Sequence, residues 1–132
     1  LEAYPEPGSN PPFARRLNFA RYQKDTASAE NGSYIADFAL DGYVSNWHSW
    51  RTGGVSGAQT LEINYPRAVT LGSAHIYSGI LAATTSQVWQ NYRLQYHDGN
   101  AWTDVPGSIV GTNSDPERNI LFSSPVTSSR FR

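Results

Sequence analysis

The sequence predicts an all-β fold, an antiparallel β-sandwich, on three observations. Runs of alternating apolar and polar residues are short and bounded by turn residues, and no helical period runs between them. An Asp-Gly pair stands between two such runs where a hairpin would place it. At 132 residues the chain is one domain, long enough to bury a core without covalent staples.

The elements follow in order. The opening "AYPEPGSNPP" holds four of the eight prolines and reads as an arm or linker over residues 1–12, with the sandwich over 13–132. "FARRLNFARY" suits a short strand or a single turn. "QTLEINY" alternates, with Leu61, Ile63 and Tyr65 on one face and Thr60, Glu62 and Asn64 on the other, as a half-buried strand requires. After Pro66, "AVTLGSAHIYSG" carries strand formers broken by Gly72. "YRLQYHDGNAWTDV" reads as a hairpin, Tyr92, Leu94 and Tyr96 alternating before the turn and Trp102 and Val105 following it. "NILFSSPVTSSRFR" supplies the last strand-like segments, and no internal repeat occurs.

Composition narrows the function. A net charge of -1 with 16% charged residues leaves no basic field for nucleic acid or anionic lipid. Aromatics reach 13% while mean hydropathy is -0.51, so the surface is polar but mostly uncharged, suited to neutral polar ligands. The absence of cysteine excludes a disulfide framework, a thiol nucleophile and a thiolate metal site. No apolar run approaches the roughly 20 residues of a membrane helix. Catalytic parts are thin: the 11 acidic residues are scattered, and no serine sits in a nucleophile elbow. His48, His75 and His97 are too far apart for a spaced metal motif. The chain reads as non-catalytic.

One stretch stands out. "ALDGYVSNWHSW", residues 39–50, places an Asp-Gly turn, two tryptophans and a histidine in one loop. A corner of the core, a metal loop and the rim of a binding site would each use such residues.

The order "TASAENGSYIADFALDG", a tryptophan-rich loop, "QTLEINYPRAVTLGSAHIYSG", "NYRLQYHDGNAWTDVPG" and "FSSPVTSSRFR" resembles the discoidin, or coagulation factor V/VIII C-type, domain. Within that superfamily it looks most like the family 32 carbohydrate-binding modules attached to bacterial polysaccharide-degrading enzymes. The likeness runs from about Leu17 to the end. It implies a jelly-roll β-sandwich, a structural calcium and a shallow sugar site built from loops at one end. It also implies a module that holds a larger secreted enzyme, a glycoside hydrolase or polysaccharide lyase, on a polysaccharide or oligosaccharide outside the cell or in the periplasm. The catalytic domain of that parent would be its partner. The competing class is a discoidin domain for protein or membrane-surface adhesion, and a third is a spacer whose sugar site has decayed. Little Lys or Arg flanks the loop aromatics, which argues against a membrane.

By the same resemblance, Asp41 and the Ser45 hydroxyl, with the carbonyls of Phe38 and Tyr43, would surround the calcium, a hard cation that takes six to eight oxygens. The plainer alternative is that Asp41 only closes an Asx turn. His48 falls on the loop rim in either of two registers, one burying Trp47 and presenting Trp50, the other burying Trp50 and presenting Trp47. It would hydrogen-bond a sugar hydroxyl or simply satisfy a backbone carbonyl. The segment 78–92 supplies the other wall. There Trp89 would be a stacking platform or a core aromatic, and Asn91 a hydroxyl partner. His75 and Tyr77 share a strand face directed to the same rim or to solvent. Aromatic rings suit the C–H face of a pyranose, and planar polar groups suit its edge hydroxyls. Trp102 resembles a buried family tryptophan, while Arg93 and Glu62 read as solvated charges. Relatives continue past "SSRFR" into one more strand that brings a glutamate to the calcium. The expectation is therefore a sandwich lacking its final strand, the gap left open or filled by another segment such as the arm.

Overall fold

A computed structural model describes residues 1–4, 18–45, 48–79 and 88–132. The described residues form six strands: β1 (Glu2–Tyr4), β2 (Lys24–Ala27), β3 (Leu61–Tyr77), β4 (Gln95–His97), β5 (Trp102–Asp104) and β6 (Glu117–Phe131). The helical content among the described residues is one 3₁₀ turn, Ala36–Ala39. The strand order is β1-β3-β6-β4-β5, with β2 also on β3, and every pairing is antiparallel. This is the antiparallel β-sandwich the alternation predicts.

Two long strands carry the architecture. Strand β3 joins the two runs that Pro66 and Gly72 divide in the sequence, and it pairs with β6 through register shifts between Asn64 and Val69 and between Leu71 and Ser73. Pro66 lies inside the first irregularity and Pro125 opposite the second. A residue without an N–H costs least where the ladder is already interrupted. The second shift also resets which side chains face inward. Ile63, Tyr65 and Leu71 are buried before it, and Ala74 and Ile76 after it. Across this shift β3 advances from Leu71 to Ser73 while β6 runs from Val126 to Leu121, and at such an irregularity the period-two alternation changes phase. These side chains meet Ile120, Phe122, Val126 and Phe131 of β6, with Leu40, Val105 and Val110, in one core.

The edges of the sheet decide one alternative and change three expectations. Residues 18–22 form turns, the turn option for that segment, while 13–17 lie outside the described residues. Within the arm, Glu2–Tyr4 adds an edge strand, Ala3 opposite Ala74, and the prolines begin only after it. Trp102 is half-buried, not a core residue. It lies on the edge strand β5, where Arg132 and Arg130 guanidinium carbons stand 4.4 and 5.1 Å from its ring centroid and His97 meets it edge-on. Two cations against the ring supply the cover that a second layer of side chains would supply in the core. Glu62 and Arg93 are paired: Arg130 donates to Glu62 Oε1 from Nε at 2.9 Å and Nη2 at 2.8 Å, and Arg93 Nη1 lies 3.4 Å from Asp104 Oδ2.

Candidate functional site

The loop after the 3₁₀ turn is anchored by Leu40, whose side chain is fully buried. Gly42 then turns the chain at φ 84°, a conformation that calls for glycine. Asp41 Oδ1 accepts the Tyr43 N–H at 2.7 Å, which is an Asx turn. Its other oxygen, Oδ2, lies 2.8 Å from His48 Nδ1. Ser45 Oγ accepts the His48 backbone N–H at 3.0 Å. The imidazole packs against the rings of Phe38, at 4.8 Å, and Tyr43, at 5.5 Å. The structure thus brings the four residues expected around calcium into one cluster about His48. The side chain of His48 is 47% exposed, and its Nε2 has no partner among the described residues.

A carboxylate, a hydroxyl and main-chain carbonyls are all oxygen donors, which fits calcium in kind. Both oxygens of Asp41 are, however, already engaged by nitrogens. Among the described residues no group of three or more His, Asp or Glu side chains gathers as a metal cage. A calcium ion on Asp41 would replace His48 there.

The second half of the loop leads to an arc of aromatic rings. Trp47 lies outside the described residues. Trp50 is half-buried, its Nε1–H donating to the Ala29 carbonyl at 2.8 Å, so the indole is fixed by its polar end. Its ring meets Trp89 edge-on at 5.8 Å, and Trp89 meets Tyr92 edge-on at 6.0 Å. Trp89 is 38% exposed and so is not a core aromatic. Its backbone is pinned by Asn113, whose Nδ2 donates to the Trp89 carbonyl at 3.0 Å, and by the Ser78 hydroxyl. Asn91 is exposed, with Oδ1 accepting the Thr112 N–H at 3.1 Å.

These pieces border one open cleft of ≈ 1150 Å³. His48, Trp50, Tyr77, Trp89 and Asn91 all line it, together with Phe38, Tyr43 and Ser45. His75 is not in the lining. It stands behind Tyr77, stacked on that ring at 4.5 Å with Nε2 2.9 Å from Glu117 Oε1. Sequence reasoning missed Tyr92 and Glu117, which also line the cleft. Tyr92 looked like an ordinary strand alternation, and an aromatic three residues after Trp89 was the available signal. Glu117 had none, since only the β3–β6 register sets it opposite Tyr77. Burial pushes the Tyr92 hydroxyl above the usual phenol range, and Tyr92 Oη has no hydrogen-bond partner among the described residues.

Known structures share this fold. A chitosan-binding module 1 from a Paenibacillus sp. IK-5 chitosanase/glucanase is 20% identical, with TM-score 0.64, 85% of this chain and 80% of that one being covered. A Streptococcus pneumoniae fucose binding module is 19% identical, with TM-score 0.68 and coverages of 87% and 81%. The family 32 CBM from C. perfringens NanJ, solved with galactose, is 21% identical, with TM-score 0.63 and coverages of 83% and 78%. Comparison with curated proteins gives no match. The F5/8 type C domain model matches residues 24–132, from the start of β2 through the end of the chain. The chain belongs to the F5/8 type C domain family.

Proposed function

We propose that this chain is a non-catalytic carbohydrate-binding module that takes a saccharide in the cleft between the His48 loop and Trp89. The observation that carries this reading is the arc Trp50–Trp89–Tyr92, with its hydroxyl-pairing neighbours, around one open cleft. An exposed, backbone-pinned indole gives the C–H face of a pyranose an apolar surface that need not reorganise. His48 Nε2 and the Asn91 amide supply polar atoms for edge hydroxyls, and His48 is held in place through Nδ1 by Asp41. Fold neighbours solved with galactose and with chitotriose give the reading further support. The module would serve a secreted, polysaccharide-degrading parent, keeping its catalytic domain near substrate by weak, multivalent contact. Structural calcium belongs to the same proposal: Asp41, Ser45 and the carbonyls of Phe38 and Tyr43 would hold it, and it would brace the loop by charge neutralisation.

Glycan-array screening followed by titration calorimetry with the best hit tests the reading. Trp89→Ala should cost on the order of 1–2 kcal/mol of binding, roughly tenfold in Kd, with little change in Tm, because its ring is exposed. His48→Ala should weaken binding several-fold, as loss of one net hydrogen bond does. Unchanged affinity in both variants would remove this cleft as the sugar site.

A further inference from the structure

We infer that the cleft selects acidic saccharides, those carrying uronate carboxylates, over protonated amino sugars; this rests on the carbohydrate reading of the same site. The formally charged side chains in the described lining are Arg51, Arg93, Arg132 and Glu117, three cations to one anion. The single carboxylate is already engaged, with Glu117 Oε1 2.9 Å from His75 Nε2. An ammonium group entering the cleft would find this one carboxylate, already shared with His75, against three guanidinium groups. Arg51 is held over the Tyr34 ring at 3.7 Å and donates from Nε to Ser49 Oγ. Arg93 and Arg132 are differently placed, because they are joined by a chain of contacts that contains one carboxylate. Arg93 Nη1 lies 3.4 Å from Asp104 Oδ2, Asp104 Oδ1 accepts from Gln95 Nε2 at 2.7 Å, and Gln95 Oε1 accepts from Arg132 Nε at 2.8 Å.

Two guanidinium groups therefore share one formal negative charge, and Asp104 itself is not part of the cleft lining. The Arg93 contact is long for a charge-assisted hydrogen bond, and its side chain is 58% exposed. Donors remain for a ligand carboxylate, which a planar guanidinium meets in two parallel hydrogen bonds. The whole chain carries a net charge of -1, so general attraction to a polyanion does not arise, and retention on one would report the cleft.

Titration calorimetry at low ionic strength with uronate, neutral and glucosamine oligosaccharides of equal length tests the inference. The uronate oligomer should bind several-fold more tightly than the neutral one and the glucosamine oligomer least, with the spread shrinking as salt is raised. Arg93→Gln should cut the ratio of uronate to neutral affinity several-fold, and Arg93→Lys should restore part of it. Glu117→Gln should widen the preference, a change in the opposite direction that a loss of folding would not produce. Neutral and uronate oligomers binding equally, or glucosamine oligomers binding best, would overturn the charge selectivity and leave the carbohydrate reading standing. Binding to none of the three classes or to any array glycan would overturn both.

Discussion

Asp25, on β2, has one carboxylate oxygen, Oδ2, buried without a hydrogen-bond partner among the described residues. Burial, with the neighbouring carboxylates of Asp37 and Glu30, pushes its pKa up to about 6. The folded state therefore binds the proton more readily than the unfolded chain. Stability from this group is greatest below the ordinary carboxylate value, falls as pH rises toward about 6, and is flat above it. Asp25→Asn should remove that decline and raise Tm at neutral pH by a few degrees, the partial exposure of the group moderating the effect. Thermal melts of both proteins from about pH 4 to about pH 7 measure this, and parallel Tm profiles would refute it. Tyr65 is the uncharged counterpart. Its hydroxyl is also buried and unpartnered, and burial pushes its pKa up, while its ring meets Phe131 edge-on at 5.9 Å. Tyr65→Phe should keep the ring contact and remove the orphaned oxygen, giving a gain of about 1 kcal/mol in chemical denaturation. A destabilised variant would show that the hydroxyl is satisfied in solution.

At the scale of elements, the β4–β5 hairpin is closed by one side chain. Asp98 accepts the backbone N–H groups of Asn100 at 2.8 Å and Ala101 at 2.9 Å, and the Thr103 hydroxyl at 3.0 Å. Gly99 follows it at φ 106°, a conformation side chains rarely adopt. The two backbone hydrogen bonds, then the Thr103 hydroxyl, hold the Asp98 carboxyl below its ordinary range. Its contribution is present above the ordinary carboxylate pKa and is lost as pH falls through the lowered folded value. Asp98→Ala should fray the hairpin, seen as faster amide exchange at Trp102–Asp104 with β3 and β6 still protected. Unchanged exchange there would mean that the β4 ladder and the Arg–Trp102 contacts hold β5 without the Asp98 turn. The same hairpin carries Gln95 and Asp104, so its order bears on the arginine chain at the cleft.

For the whole molecule, the open question is what the His48 loop does when calcium is supplied. The proposed ligand Asp41 is paired with His48, so loading would exchange one partner for the other. A structural ion that binds only the folded state raises Tm by mass action. Added calcium should raise Tm and chelator should reverse it, while Asp41→Asn should abolish the response. A Tm indifferent to both additions would leave Asp41 as the turn residue and His48 anchor alone. Most of the core comes from β3 and β6, and the loop joins it through Leu40, next to Asp41.

The alternation of "QTLEINY" and of "YRLQY" around "DG" sufficed to predict strands and a hairpin, because side-chain period and turn chemistry are local properties. The Asp-Gly pair at 41–42 likewise announced its turn, and the motif order carried the family. Other features needed the chain folded. Nothing local to His48 says that Asp41, seven positions earlier, meets its Nδ1, and nothing local to Trp50 says that Trp89 forms its neighbour. Trp102 resembles a buried family tryptophan, yet it lies on an edge strand where arginines from the far end of the chain cover it. The union of two short runs into β3 was also hidden, since Pro66 and Gly72 interrupt strands unless a partner supplies bulges to receive them. Sequence determines which residues prefer strand, turn and interior. Long-range register decides which of them become neighbours, because contacts between distant segments depend on the whole ladder and not on any one stretch.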